Sequence, residues 1–70
     1  MHRLKLESSS IKGIGYDDVN QILEVEFTRG AVYHYFGVKS HEVFEFIFAE
    51  SIGKYFSSNI AKKYEFKEII

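Results

Sequence analysis

Within the stretch from Ile22 to Thr28, apolar and polar residues alternate without a break from Leu23 onward. Leu23, Val25 and Phe27 take one side, and Glu24, Glu26 and Thr28 the other. A two-residue period marks a strand with one buried face. Alternation resumes after Gly30 through Ala31, Val32, Tyr33, His34 and Tyr35, which predicts a second strand joined to the first by a tight turn. Two registers are open. A two-residue Arg29–Gly30 loop turns Val32, His34 and Phe36 toward the core. A three-residue Thr28–Arg29–Gly30 loop pairs Phe27 with Ala31, puts Gly30 in the left-handed conformation, and sets Tyr33 and Tyr35 beside Val25 and Leu23. The second is preferred: it leaves His34 outside, and a tyrosine can bury its ring while its hydroxyl reaches water. Upstream, Ile11–Tyr16 reads as a strand in which Gly13 and Gly15 suggest a bulge or a close backbone approach. Asp17–Asn20 is turn chemistry.

From Ser40 the period lengthens. Ser40 is the expected N-cap of a helix over His41–Glu50, with Glu42 near its positive end. On a helical wheel Val43, Phe44, Phe46, Ile47 and Phe48 cover roughly 200°, wider than an ordinary apolar stripe. Either a second element covers one flank, or Phe46 or Phe48 stays partly exposed. Ser51 can cap a second helix through about Lys62, with Ile52, Tyr55, Phe56 and Ile60 inward and Lys54, Ser58 and Lys62 outward. Lys63 falls toward the apolar side, so the helix ends there or the side chain snorkels. Tyr64–Lys67 alternates and suggests a short edge strand.

Strands first and helices afterwards give an α+β fold: a three-stranded antiparallel meander followed by two helices packed on one face. The expected core is Ile14, Tyr16, Leu23, Val25, Phe27, Tyr33, Tyr35, Val43, Ile47, Ile52, Phe56 and Ile60. Seventy residues make a single domain, 1–70, near the small end for independent folding. Without cysteine there is no disulfide or thiolate zinc site, so seven Phe and five Tyr must supply much of the core. No segment is long enough to span a bilayer and the first residues do not form a secretory signal, so a cytoplasmic protein without a membrane partner is expected. The net charge of −1 gives no overall pull toward nucleic acid. The charge is uneven, however: residues 40–50 hold Glu42, Glu45 and Glu50 alone, and residues 51–70 hold four lysines against Glu65 and Glu68.

His2, His34 and His41 lack metal-ligand spacing, Gly13–Ile14–Gly15 lacks the rest of a phosphate loop, and no nucleophile elbow or triad is visible. No cofactor, metal or catalytic residue is therefore assigned, and an enzyme is not expected. The segments Ser8–Ile11, Ile14–Asp17, Leu23–Phe27, Gly30–Tyr35 and Ser51–Phe56, in this order and spacing, resemble the KTSC domain family across about residues 6–64. That family occurs at the C-terminus of some lysyl-tRNA synthetases and as small stand-alone bacterial and phage proteins. Its tyrosine-x-tyrosine motif matches Tyr33 and Tyr35. Lys39 stands where the family often has proline, and Ser57 and Ala61 where it often has asparagine and a basic residue. The resemblance implies a domain of unknown function with a suggested role in RNA binding.

Two roles are open. In the first, Lys54, Lys62 and Lys63 hold the backbone of single-stranded or structured RNA while Tyr33 and Tyr35 stack on bases. In the second, the wide aromatic arc of the first helix or a free sheet edge engages a protein partner or a second copy of the chain. The plainer readings are a tyrosine pair buried in the core and a solvated lysine face.

Overall fold

The structure, a computed structural model, describes residues 3–70. Five antiparallel strands lie in the sheet in chain order: β1 (Arg3–Lys5), β2 (Ile11–Asp17), β3 (Ile22–Phe27), β4 (Val32–Phe36) and β5 (Phe66–Glu68). Between β4 and β5 come α1 (Ser40–Ile47) and α2 (Ile52–Tyr55), the latter running directly into a π-helical turn, Phe56–Ile60. The fold is α+β as expected, but the sheet has five strands rather than three. The short β1 was not anticipated. The expected strand at 64–67 forms as the shorter Phe66–Glu68, starting two residues later.

The β3–β4 hairpin takes the three-residue register. Phe27 N–H donates to the Ala31 carbonyl (2.9 Å), Gly30 has φ 100°, and Val25 and Leu23 pair with Tyr33 and Tyr35. In β2 the register shifts between Ile11 and Gly13, so Lys12 forms the bulge. Gly13 also provides a close approach, since a Cβ there would lie 2.8 Å from the Leu4 carbonyl oxygen. The Asp17 carboxylate closes the next turn by accepting from the backbone N–H groups of Val19 and Asn20 (both 3.1 Å).

The helix boundaries differ from expectation. The cap residue of α1 is Lys39 rather than Ser40, without a side-chain cap bond, and α1 ends three residues before Glu50. Ser51 does cap α2, its hydroxyl accepting from Lys54 N–H (3.3 Å). The second helix stops at Ile60, not Lys62. Its last turn is widened, as shown by the Ala61 N–H bond to the Phe56 carbonyl (2.9 Å). Lys54 and Lys62 therefore do not share one regular helical face.

The core lies between the helices and one face of the sheet. Ile11, Ile14, Leu23, Val25, Phe27 and Tyr35 come from the sheet, Val38 from the following loop, and Val43, Phe46 and Ile60 from the helical layer. Phe46, Ile11 and Val38 were missing from the expected core. Tyr33, Ile47, Ile52 and Phe56 pack at its rim. No helix among the described residues is long and apolar enough to cross a membrane.

Candidate functional site

The β3–β4 register turns Tyr33 and Tyr35 toward the helices. Tyr35 is 4% exposed. Its ring meets Phe56 edge-on (5.5 Å) and stacks with Tyr33 at 6.3 Å. Tyr33 is half-buried, edge-on to Phe27 (5.6 Å). Phe66 of β5 lies tilted against both tyrosines, at 5.6 and 5.7 Å. Burial, with the neighbouring Tyr33 phenol adding to it, pushes the Tyr35 phenol up to about 12. Tyr35 is thus a neutral, enclosed ring, and Tyr33 is the more exposed of the two.

The three lysines separate. Lys54 and Lys62 are exposed and make no salt bridge among the described residues. Lys63 instead reaches back to Glu42, its ammonium 3.1 Å from Oε1. Glu42 is 7% exposed, although sequence reasoning placed it only as a helix-start charge. It accepts hydrogen bonds from the hydroxyls of Tyr55 and Tyr64 as well as from Lys63. Burial works against its ionisation, but these three donors outweigh burial and hold the carboxyl below the usual carboxylate range. One signal was available: Glu42 lies one helical turn before the fully buried Phe46, on the same flank of α1. With three donors around it, this carboxylate clasps the start of α1 to the end of the second helix.

Two surfaces remain open. On the outer face of the sheet, Gly13 and Gly15 of β2 carry no side chain between Arg3 of β1 and the carboxylates of β3. The Arg3 guanidinium spans this gap to Glu24 (2.6 Å) and Glu26 (2.7 Å), and His34 of β4 meets Glu24 from the other side at 2.8 Å. Burial raises the Glu24 carboxyl, but the bonds from Arg3 and His34 bring it below its ordinary value. On the helical side, Phe44 and Phe48 of the expected wide arc are 62% and 76% exposed, their rings stacked at 5.9 Å. Phe46 is the member of the arc that closes the core. No group of three or more metal-ligating side chains occurs among the described residues, and His2 lies outside them.

A profile of the KTSC domain matches residues 7–64. The chain belongs to the KTSC domain family. Its relatives include an uncharacterized protein from Stutzerimonas stutzeri, 46% identical over 57 residues that cover 81% of this chain and 80% of that one. A lysine–tRNA ligase from Nostoc punctiforme is 36% identical over 66 residues, 94% of this chain but 12% of the ligase. The crystal structure of a KTSC domain protein from Yersinia pestis matches with a TM-score of 0.92 at 36% identity, covering 99% of this chain and 97% of that one. The KTSC profile takes in the tyrosine pair, the Glu42 clasp and the Phe44–Phe48 pair, whereas β1 and β5 fall outside it. The Yersinia structure extends the likeness across both edge strands.

Proposed function

We propose that this KTSC domain is a non-catalytic module that docks a protein partner on the exposed side of α1. The Phe44–Phe48 ring pair carries this reading. Large apolar side chains left in water on a monomer mark interaction surfaces when they adjoin one another. Burying each ring is worth about 1.5–3 kcal/mol, and aromatic anchors of this kind dominate interface energies. The fold does not need these rings, because Phe46 already fills the core beneath α1.

The test uses the folded chain and its Phe44→Ser/Phe48→Ser variant as baits. Each retained protein is purified and its affinity for both forms measured by calorimetry. The variant is expected to keep its melting temperature and to lose roughly tenfold or more in affinity, the weight of one lost anchor. Equal affinity for the two forms would refute the reading.

A second reading, RNA binding, is favoured by one observation and one relationship. Lys54 and Lys62 are exposed cations without a carboxylate partner among the described residues, and lysine–tRNA ligases carry the same domain. In this reading Lys54, Lys62 and Lys63 hold phosphates and the Tyr33–Tyr35 pair supplies the ring surface, with Tyr33 the more accessible. Labelled single-stranded and hairpin RNA titrated at low and moderate salt decides it. Salt-sensitive binding that is lost in Lys54→Glu/Lys62→Glu supports RNA. No binding at micromolar protein in low salt removes it.

A further inference from the structure

The widened turn Phe56–Ile60 is enclosed by bonds to a single carboxylate. Tyr55 stands directly before the turn, and Lys63 and Tyr64 follow it closely. All three donate to Glu42 of α1. Both arms of the turn are therefore tied to one point. At its end, Ala61 N–H reaches the Phe56 carbonyl, five positions back (2.9 Å). In a regular α-helix the same N–H would bond the Ser57 carbonyl, four positions back. Beyond it, Tyr64 N–H returns to the four-residue spacing, on the Ile60 carbonyl (3.3 Å). The turn thus takes up one residue more than a regular helix would.

The surplus residue fixes where the chain after it points. Each residue of an α-helix advances the chain by about 100° and about 1.5 Å. If the turn were regular, the residues after it would move on by about that much. The Tyr64 hydroxyl and the Lys63 ammonium would then leave Glu42. The inward side chains do not demand the extra residue, because Phe56 and Ile60, four apart, share a face in either form. A turn of this kind is rare and occurs as a single bulge in an otherwise regular helix. The contact that changes with register is the clasp.

We infer that Glu42 holds the second helix one residue out of phase, and that releasing this carboxylate lets the helix run on regularly toward Lys62. The released form carries a different surface. Lys54, Ser58 and Lys62 then share one outer face at four-residue spacing, whereas the clasped form parts them. Lys63, without its carboxylate, falls to the apolar side with its ammonium turned out to water. Glu42 is in this sense a register switch for the cations of the second helix.

Through-hydrogen-bond NMR couplings on the isotope-labelled chain test this, since they identify the carbonyl that each amide bonds. In the natural chain the Ala61 amide is expected to couple to the Phe56 carbonyl. In Glu42→Ala that coupling is expected to vanish and one to Ser57 to replace it. Lys63→Ala leaves both tyrosine hydroxyls on Glu42 and is expected to keep the Phe56 coupling. Deleting Ser58, which is exposed, removes the surplus residue itself. In that chain Ala61 is expected to couple to Phe56 at the regular spacing, with a melting temperature within about 5 °C of the natural one. A Phe56 coupling that survives Glu42→Ala overturns the inference. So does a change to Ser57 in Lys63→Ala, which would make the solvation of the lysine the cause. If Glu42→Ala does not fold, the Ser58 deletion decides: a kept fold and melting temperature support the inference, and a lost fold overturns it.

Discussion

Glu42 gathers three side-chain donors from distant parts of the chain. Removing its carboxylate in Glu42→Ala strands the Tyr55 and Tyr64 hydroxyls and the Lys63 ammonium, and is expected to cost about 1.5–3 kcal/mol in urea unfolding, the range for hydrogen bonds to a charged group. The pH dependence has a definite sign. A carboxyl held below its unfolded value stabilises the fold fully above that value, and the contribution is lost as pH falls through the folded one. Stability measured from pH 6 down to pH 3 should therefore drop more in the natural chain than in Glu42→Gln; parallel curves would show that Glu42 is not the group responsible. Tyr35 makes the opposite case. Among the described residues no buried side-chain oxygen lacks a partner and Tyr35 makes no side-chain hydrogen bond, so its hydroxyl touches solvent while its ring is enclosed. Tyr35→Phe should leave stability within about 0.5 kcal/mol, whereas Tyr35→Ala should cost about 3–5 kcal/mol. Ultraviolet titration should find its phenolate only near pH 12.

At the scale of elements, the two helices are held by different means. Ser51 closes the first turn of α2 with its side chain, and Ser51→Ala should destabilise the domain by about 1 kcal/mol in thermal or urea melts. Ser40 lies inside α1 and caps nothing, so Ser40→Ala should be close to neutral. The β3–β4 hairpin was legible in the sequence because two signals agreed there: a strict two-residue period, and a glycine where the loop needs positive φ. β1 and β5 were less legible because three residues carry too little periodicity to stand out. The widened turn at Phe56–Ile60 leaves no mark on a helical wheel, since Tyr55, Phe56 and Ile60 face inward with or without it. The ring pair on α1 was visible as an apolar arc too wide for one buried stripe. The buried Glu42 was not, because its donors stand 13, 21 and 22 positions away and only the tertiary fold brings them together.

At the scale of the molecule, the sheet is finished from its two ends. Arg3 fastens β1 across the bare glycines of β2, and β5 covers the flank of β4 while Phe66 leans on the tyrosine pair. Removing residues 65–70 would bare the β4 edge and one side of both tyrosine rings. Such a chain should melt at a lower temperature and show concentration-dependent light scattering, because an uncovered long edge recruits other strands. Unchanged melting and scattering would show that β5 is dispensable to the sheet.

The strand order has a kinetic corollary. From β1 to β4 each strand pairs with the one made just before it, so three of the four pairings close short loops and cost little chain entropy. The pairing of β4 with β5 spans the whole helical hairpin, and its partners are some 30 positions apart, as with Tyr35 and Phe66. Refolding followed by stopped flow should accordingly begin with a rapid zipping of the first four strands, and the late, slower event should be the seating of Phe66.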